Sequence, residues 1–522
     1  MISTEKEANG MKKSPVIKHI GTALLLGAVA GAATGVAVTL YKFCAKHVIH
    51  LSEHGYEYLR HQPIWLIPTV AALVVLALVL AHIYRHTSNL RGGGIPTAIG
   101  VLRGWFPLQW VRNAIGVFTL SLTTFLVGVP LGNEGPSVQL GTAIGQGCTA
   151  LFGKRAAPWS RYGMTGGACA GFSTATGAPI SGVLFAVEEA HHRISPIILL
   201  IATAAVSTAR LVSELLAPVL GVSTNLFPTL QLPALEWTDS WIPLAIGILF
   251  GLFAVVFLSF YRYASDFLNK KLANVPHQWK ILAILLLTLG MGLLSFSYIS
   301  TGHELILSLF DGEAILILVV LLAIRTLLTV GANVTQLTGG IFLPILAIGA
   351  LLSTIFADGV QWLFGLDGSY YPVILVLGIT ACIAGMMKMP MTAIAFAVEA
   401  LSGAGIILPI LLAATMAYGV AELFGAVSIN DRVLHSRMEQ MRKGHTSRTA
   451  ETVVTVQRHS FADGKEIRDI LWPNGLYVLS VDKKHVRGDS ALHAGDNLRV
   501  RYTTFQEAQL KQELFAIVGE SK

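Results

Sequence analysis

Long apolar stretches, separated by short segments that carry charge, occupy most of the first 424 residues of the chain. A membrane-spanning helix needs about 20 mainly apolar residues to cross roughly 30 Å of hydrocarbon. Stretches near this length lie at residues 19–43, 64–84, 111–129, 197–216, 241–261, 281–298, 315–330 and 406–424, and others are shorter or interrupted by glycine. The pattern predicts an all-α polytopic membrane domain.

The chain changes character near residue 431, where charged residues begin to alternate with short β-branched runs. Residues 452–457, 476–481 and 497–502 are predicted strands, because each alternates in polarity and is bounded by turn residues. Helices are predicted at 465–471 and 505–515. We therefore expect an N-terminal segment at 1–18, a membrane domain at 19–433, a linker at 434–450 and a small α+β domain at 451–522.

The composition supports this assignment. Hydrophobic residues make up 53% of the chain and charged residues only 13%, against a usual charged share of about 25%. The net charge of +7 does not indicate nucleic-acid binding, because Lys and Arg lie mainly in the N-terminal segment, the inter-span loops and the tail. The first eighteen residues lack the apolar region and cleavage site of a signal peptide, so we expect both termini in the cytosol.

No metal, cofactor or disulfide site is predicted. The four cysteines lie in or beside apolar stretches and are expected to be buried thiols: Cys44, Cys148, Cys169 and Cys382. His191 and His192 follow two glutamates, but adjacent side chains on a helix point apart, which argues against a metal site. The chain carries no nucleophile–base set or nucleotide-binding loop, so an enzyme is not predicted.

The membrane part contains an internal repeat. Residues 178–188 match residues 389–399 in one register, 211 positions apart, so that Glu188 corresponds to Glu399. Upstream, residues 135–141 are echoed by residues 343–349, 208 positions apart. Two halves, at about 19–217 and 238–433, are therefore duplicated units. Glycine- and proline-interrupted apolar segments at corresponding places indicate broken helices that meet around an ion site near the membrane midplane.

Three glycine-rich segments end in proline just inside an apolar run. They are Gly92-Gly93-Gly94-Ile95-Pro96, Gly132-Asn133-Glu134-Gly135-Pro136 and Gly339-Gly340-Ile341-Phe342-Leu343-Pro344. Proline suits the first turn of a helix, and the free N–H groups at a helix N-terminus attract anions. One such segment is typical of an ordinary helix start. Three at related places in a duplicated chain favour an anion site built from neutral backbone donors.

Glu134 is the one carboxylate in these three segments. An ionisable side chain within a membrane-spanning region indicates a functional site by default. The alternative is a carboxylate that only stabilises the start of a helix through the helix dipole. We expect Glu134 to compete with a mobile anion for one site.

The three segments resemble the signatures of the CLC family of anion channels and transporters, the voltage-gated chloride channel family. The family sequences Gly-Ser-Gly-Ile-Pro, Gly-Arg-Glu-Gly-Pro and Gly-Ile-Phe-x-Pro correspond to residues 92–96, 132–136 and 340–344, and the resemblance extends from about residue 19 to residue 433. It implies a homodimer with one anion pathway per subunit and two halves of inverted topology.

The resemblance also implies roles for individual residues. Glu134 would be the external gate, occupying an anion position as a carboxylate and carrying a proton when protonated. Glu189 matches the internal proton-transfer glutamate of the antiporter branch. Ile341 and Phe342 would donate backbone N–H groups to the central anion. The anion-binding positions carried over in this way are Gly93, Gly94, Ile95, Glu134, Gly135, Ile341, Phe342 and Asn430.

Three positions depart from the family pattern. Gly93 replaces a serine whose hydroxyl contacts the central anion, Asn133 replaces an arginine, and Asn430 replaces the tyrosine of the inner gate. The fluoride-exporting branch of the family also departs from the serine and the arginine. Phe342, however, keeps the chloride-type form of the third signature, so we favour chloride and keep fluoride as an alternative.

We therefore predict a proton-coupled anion antiporter, most simply a chloride/proton exchanger, in the inner membrane of a bacterial cell. Its expected partners are a small anion, protons and the lipid bilayer. A passive chloride channel is the first alternative, favoured by Asn430 and disfavoured by Glu134 together with Glu189. A ligand-sensing receptor is a second, but no kinase, cyclase or DNA-binding segment supports it.

The C-terminal domain has a resemblance of its own. Residues 489–500 resemble the C-terminal domain of potassium-transport regulators of the TrkA/RCK type. The resemblance implies a regulatory domain that binds a small-molecule ligand or pairs with a second copy.

Overall fold

The computed structural model of the protein describes residues 2–309, 315–365, 367–442, 448–504 and 507–519. The α-helices are α1 (Ile2–His61), α2 (Leu66–His86), α3 (Gly94–Leu102), α4 (Trp110–Val127), α5 (Glu134–Leu151), α6 (Ser160–Thr176), α7 (Pro179–Phe185), α8 (Pro196–Leu220), α9 (Trp241–Asp266), α10 (His277–Leu294), α11 (His303–Ser308), α12 (Ile315–Val334), α13 (Phe342–Phe364), α14 (Tyr371–Cys382), α15 (Pro390–Ala400), α16 (Ile407–Leu423), α17 (Ile429–Arg442) and α18 (Glu507–Val518).

Within the described residues, ten helical segments are long and apolar enough to cross a membrane. Eight of them overlap the eight apolar stretches predicted above, so the all-α polytopic class is confirmed. The other two, Phe342–Phe364 and Gly368–Met387, are mostly enclosed by protein. Glycines and Asp358 interrupt the first, and glycines interrupt the second, which is why apolar run length alone did not single them out.

Glycine allows α5 and α6 to pack with their backbones in contact. A Cβ atom at Gly141 would lie 2.0 Å from the carbonyl oxygen of Gly167, and a Cβ atom at Gly167 would lie 2.0 Å from the carbonyl oxygen of Gly141. A Cβ atom at Gly145 would lie 2.1 Å from the carbonyl of Gly163. Small residues at the contact between membrane helices permit this close approach, and here they hold α5, whose first residue is Glu134, against the centre of the molecule.

The repeat seen in the sequence reappears as a reciprocal pair of helix caps. The carboxylate of Glu188 accepts the free N–H groups at the start of α15, and the carboxylate of Glu399 accepts those at the start of α7. The donors are Met391 N and Thr392 N, at 2.9 and 2.7 Å, and Ile180 N and Ser181 N, at 2.8 and 2.9 Å. Both donors and both acceptors are related by the shift of 211 positions. Each half of the chain therefore caps a broken helix of the other half.

The C-terminal region forms a small α+β unit. Its antiparallel sheet has the order β1-β4-β2-β3, with β1 at Arg448–Thr455, β2 at Leu476–Val481, β3 at Lys484–His485 and β4 at Asn497–Thr504. The three predicted strands are present, and α18 covers most of the second predicted helix. The helix predicted at 465–471 is absent: this segment holds only a 3-10 turn, Ile467–Asp469. Helix α17 also continues past residue 433 to Arg442, across the expected start of the linker.

The segment after the 3-10 turn is held by the membrane part of the chain. The hydroxyl of Tyr162 donates to the carbonyl of Asp469 at 2.6 Å and accepts from the N–H of Leu471 at 3.0 Å. Arg161 donates to the carbonyl oxygens of Leu471 and Trp472, at 3.2 and 2.8 Å. Because these backbone groups pair with other elements, the segment has no free groups with which to form the predicted helix.

A second set of contacts reaches the chain that follows Glu189. The guanidinium of Arg193 donates to the carbonyl of Ile470 at 3.0 Å, and the hydroxyl of Ser195 donates to the carboxylate of Asp469 at 3.1 Å. The C-terminal unit therefore contacts the connection between Glu189 and the start of α8.

Candidate functional site

The three glycine-rich segments come together at the starts of three helices. Gly132 and Gly340 exchange backbone hydrogen bonds of 2.7 and 2.8 Å, which form an isolated antiparallel bridge between the two halves. A Cβ atom at Gly94 would lie 1.9 Å from the carbonyl oxygen of Gly135, so the starts of α3 and α5 touch through their backbones. Since no side chain fits between them, the free N–H groups at these helix starts stay near one another.

A small cavity lies at this junction. It is lined by Gly93, Ile95, Pro96, Asn333, Gly340, Ile341, Ile429, Asn430 and Val433. Four of the predicted anion-binding residues are among them, namely Gly93, Ile95, Ile341 and Asn430. Gly94 and Gly135 form the backbone contact behind this wall, while Phe342 is the first residue of α13. The three helix starts and the cavity are therefore adjacent to one another.

Phe342 contributes its backbone rather than its ring to this region. The ring is fully buried and packs edge-on against Phe172 and Phe396, with ring centroids 5.3 Å apart in both pairs. The packing fixes the first turn of α13. The N–H groups of that turn lack intrahelical acceptors, as at any helix start, and suit an anion.

Glu134 is the first residue of α5 and its side chain is completely buried. The backbone N–H groups of Glu134 itself and of Leu343 face its carboxylate, but neither carboxylate oxygen accepts a hydrogen bond of ordinary geometry from the described residues. A Cβ atom at Gly132 would lie 2.3 Å from Oε2 of Glu134 and 3.4 Å from the backbone nitrogen of Leu343. The carboxylate therefore lies beside the start of α13, and Gly132 is needed to leave it room. An unpaired buried carboxylate is costly to keep ionised, as suits a group that gains and loses a proton.

Glu189 lies in the π-helical turn Ala186–Ala190 and is almost completely buried. The side-chain amide of Asn430 donates to its Oε1 at 2.9 Å. Turns of this kind are frequent at functional sites because they redirect a side chain from the regular helical path. Here the turn directs Glu189 toward α17, whereas its neighbour Glu188 caps α15. The adjacent glutamates therefore have different tasks.

Asn430 connects the cavity to Glu189. It contributes to the cavity wall and donates one amide N–H to Glu189 at the same time. The predicted contact of Asn430 with an anion therefore depends on its second amide N–H. Glu134 thus lies beside the start of α13, and Glu189 is hydrogen-bonded to a residue of the cavity wall.

Sequence reasoning missed Arg103, the residue that follows α3. Its guanidinium donates to the carbonyl oxygens of Glu189 and Ala190, at 2.8 and 3.1 Å, and lies 3.7 Å from the carboxylate of Asp431. Arg103 thus holds the π-helical turn against the start of α17. No local sequence signal marks it, because its partners are more than eighty residues away.

Two further residues near the cavity were also missed. Asn333, near the end of α12, lines the cavity and accepts a hydrogen bond from Tyr261 at 2.6 Å. Arg437 in α17 is buried beneath α3 and donates to the hydroxyl of Thr97. A polar residue at the end of an apolar helix was the available signal for Asn333.

The described residues contain no group of three or more His, Cys, Asp or Glu side chains placed to hold a metal ion. The imidazole of His191 pairs with the hydroxyl of Thr165 at 2.8 Å.

A sequence model described as "Voltage gated chloride channel" matches residues 76–422. The chain belongs to the voltage-gated chloride channel family. The match ends before the C-terminal α+β unit, whose likeness to TrkA/RCK domains stays a prediction.

Members of the family with curated names are similar over most of the chain. The H(+)/Cl(-) exchange transporter ClcA of Vibrio parahaemolyticus is 28% identical over 433 residues, which cover 80% of this chain and 90% of the relative. The protein of the same name from Salmonella paratyphi B is 26% identical over 416 residues, which cover 79% of this chain and 88% of the relative.

Solved structures share the fold. A slow cyanobacterial Cl-/H+ antiporter superposes with a TM-score of 0.72 at 24% identity, covering 80% of this chain and 99% of that one. A CLC-type fluoride/proton antiporter superposes with a TM-score of 0.62 at 21% identity, covering 77% and 96%. At these identities the structures show the fold alone. The family has members named for each of the two anions weighed above.

Proposed function

We propose that this family member is a proton-coupled anion antiporter that exchanges chloride for protons, with Glu134 as external gate and proton carrier and Glu189 as internal proton-transfer group. One observation carries the proposal: two buried glutamates lie at the junction of three helix starts, where Glu134 faces the backbone N–H group of Leu343 and Glu189 is hydrogen-bonded to Asn430 of the cavity wall. The names of the similar ClcA proteins agree with it.

Competition between a carboxylate and an anion couples the two fluxes. An ionised Glu134 beside the start of α13 is attracted by the free N–H groups there, as a mobile anion is. Two negative charges a few ångströms apart in a low-dielectric site repel each other by several kcal/mol. Entry of an anion therefore favours protonation and departure of Glu134, which couples anion movement to proton movement.

Asn430 can satisfy Glu189 in both protonation states. Its amide N–H donates to the carboxylate at 2.9 Å, and its amide oxygen has no hydrogen-bond partner among the described residues. A protonated Glu189 needs an acceptor, and an amide oxygen provides one after a small rotation. Glu189 can thus take up a proton on the cytosolic side and release it toward the junction without losing its place.

Chloride remains the proposed anion and fluoride the alternative. Gly93 and Asn133 depart from the chloride-type signatures, whereas Phe342 keeps the third signature in its chloride-type form. A passive channel is disfavoured because it requires no carboxylate at position 189.

The remaining proposals concern assembly and regulation. We place the protein in the bacterial inner membrane as a homodimer with cytosolic termini. The C-terminal unit is proposed to regulate exchange, through a small-molecule ligand or through pairing of two copies. The bonds from Arg193 and Ser195 to that unit support regulation, because both residues follow the turn that carries Glu189.

Paired measurements of chloride and proton movement in proteoliposomes test the proposal. Replacing Glu134 with Gln is expected to stop proton movement and leave chloride flux, because an amide can neither carry a proton nor repel an anion. Glu189→Gln is expected to do the same by cutting the proton supply.

Glu188→Gln is the matched control, since it alters the neighbouring carboxylate whose contacts are to α15. It should lower thermal stability while the proton-to-chloride ratio is unchanged. Proton movement that persists in Glu134→Gln would remove this residue from the mechanism.

A further inference from the structure

The wall of the cavity is nearly devoid of polar side chains. Of its nine residues, only Asn333 and Asn430 carry a side-chain hydrogen-bonding group, and Asn430 already donates to Glu189. Gly93 supplies no side chain at the position where the family signature has a serine. If an anion rests here, Asn333 is the lining side chain with both amide N–H groups available to it, whereas Asn430 has one.

The orientation of Asn333 is set from behind. The Tyr261 hydroxyl, on α9, donates to Oδ1 of Asn333 at 2.6 Å, and both side chains are almost completely buried. A phenol has one hydrogen to donate and needs an acceptor, so the amide oxygen faces Tyr261 and the Nδ2 group faces away from it. No acceptor pairs with Nδ2 in the part of the chain that the structure describes. If Asn333 served only as the hydrogen-bond acceptor of Tyr261, its two amide N–H groups would have no function.

The Nδ2 group of Asn333 lies next to the missing serine side chain. A Cβ atom built on Gly93 would lie 3.6 Å from Nδ2 and 3.5 Å from the carbonyl oxygen of Gly339. These are ordinary contact distances, so the space beside Gly93 is reached by the amide group of another helix. A neutral N–H donor therefore stands where the signature would place a neutral O–H donor.

We propose that Asn333 donates an amide N–H to the anion in this cavity, and so supplies the side-chain donor that Gly93 lacks. The ligand is a small monovalent anion, chloride on the function proposed above, on which this inference rests. The donor is neutral, so it holds the anion without the trapping that a buried cation would cause. Tyr261 is a positioning residue that keeps the N–H groups directed away from α9.

The test measures chloride affinity by isothermal titration of the purified full-length protein in detergent. Asn333→Leu, similar in size but without donors, is expected to weaken chloride binding at least tenfold, equivalent to about 1.4 kcal/mol. A hydroxyl donor introduced at position 93 should restore the chloride affinity. The double variant Gly93→Ser/Asn333→Leu is expected to regain affinity, while Gly93→Ala/Asn333→Leu, which adds the same Cβ without a hydroxyl, is not.

Asn333→Asp is the second variant, because it keeps an acceptor for Tyr261 and replaces the donors with a carboxylate. It should abolish chloride binding at neutral pH while retaining a cooperative thermal transition. Chloride affinity in Asn333→Leu equal to that of the wild type, or equal affinities of the serine and alanine double variants, would overturn the proposal.

Transport by the wild type separates this inference from the proposed function. Wild-type protein that exchanges chloride for protons, with unchanged chloride affinity in Asn333→Leu, refutes the role of Asn333 alone. Wild-type protein that binds chloride but moves no protons refutes the antiport proposal, and the titrations still report on Asn333.

Discussion

One hydroxyl group makes two of the hydrogen bonds that attach the C-terminal unit to the membrane part of the chain. Tyr162 is fully buried at the start of α6, and its hydroxyl makes two bonds to the C-terminal segment, to Asp469 O and from Leu471 N. Tyr162→Phe keeps the ring and removes both bonds. It leaves a carbonyl and an N–H unpaired, at a cost of about 1–3 kcal/mol each when they stay buried.

Loss of the two bonds is expected to weaken docking of the C-terminal unit onto the membrane part by about 3 kcal/mol, which lowers the docking equilibrium constant about 150-fold. Hydrogen–deuterium exchange followed by mass spectrometry measures this directly at the amide of Leu471. We expect faster exchange across residues 469–472 in Tyr162→Phe. Exchange within β4 should not change, because the sheet does not depend on that hydroxyl.

Tyr477→Phe is the control for this experiment. Tyr477 lies on β2 with 68% of its surface exposed, so loss of its hydroxyl should leave docking intact. If the proposed regulation holds, Tyr162→Phe also changes the rate of chloride/proton exchange without changing its ratio, because the undocked unit no longer holds the chain after Glu189. Unchanged exchange at residues 469–472 would refute the reasoning about this contact.

Three further predictions concern stability. Replacing Glu188 or Glu399 with Ala should lower the melting temperature in detergent, because each change leaves two helix-start N–H groups without acceptors, at a cost of about 2–6 kcal/mol if they stay buried. Variants that melt at the same temperature as the wild type would contradict the reciprocal caps. Gly94→Ala should prevent folding, because its Cβ would lie 1.9 Å from a backbone oxygen, whereas Gly93→Ala should fold; size-exclusion chromatography distinguishes them. Burial lowers the pKa of Lys465 from 10.5 to about 6, so between these values the unfolded chain binds the extra proton and stability rises with pH. Lys465→Met should therefore raise the free energy of unfolding at pH 7.5, by at most about 4 kcal/mol, and this gain should shrink toward pH 10. Thermal melts that show the same gain at every pH in this range would contradict the burial argument.

Features that are local in the sequence were predictable from it. Apolar run length identified eight of the spanning helices, and strand alternation located three strands of the C-terminal sheet. The internal repeat went further, because the shift that pairs Glu188 with Glu399 also pairs the helix starts that they cap. The caps themselves were not predicted, because the repeat alone does not show which segments contact each other.

Features that depend on contacts between distant segments were not predictable. Residues 465–471 have helical periodicity, yet the segment is extended around a short turn because its backbone groups bind Tyr162 and Arg161. Arg103 and Asn333 acquire their roles only from partners on other elements. Asn430 was expected to reach an anion, and its bond to Glu189 became visible only when α17 was placed against the π-helical turn.

The central claim is that anion and proton movements share one obligatory cycle. The most direct test imposes an outward chloride gradient on proteoliposomes that contain the wild-type protein, at equal pH on both sides, and follows the internal pH. Exchange predicts that chloride efflux drives protons inward, so that a pH gradient forms and reverses when the chloride gradient is reversed. Dissipation of the chloride gradient with no pH gradient, while the counter-ion is supplied by valinomycin and potassium, would contradict the account.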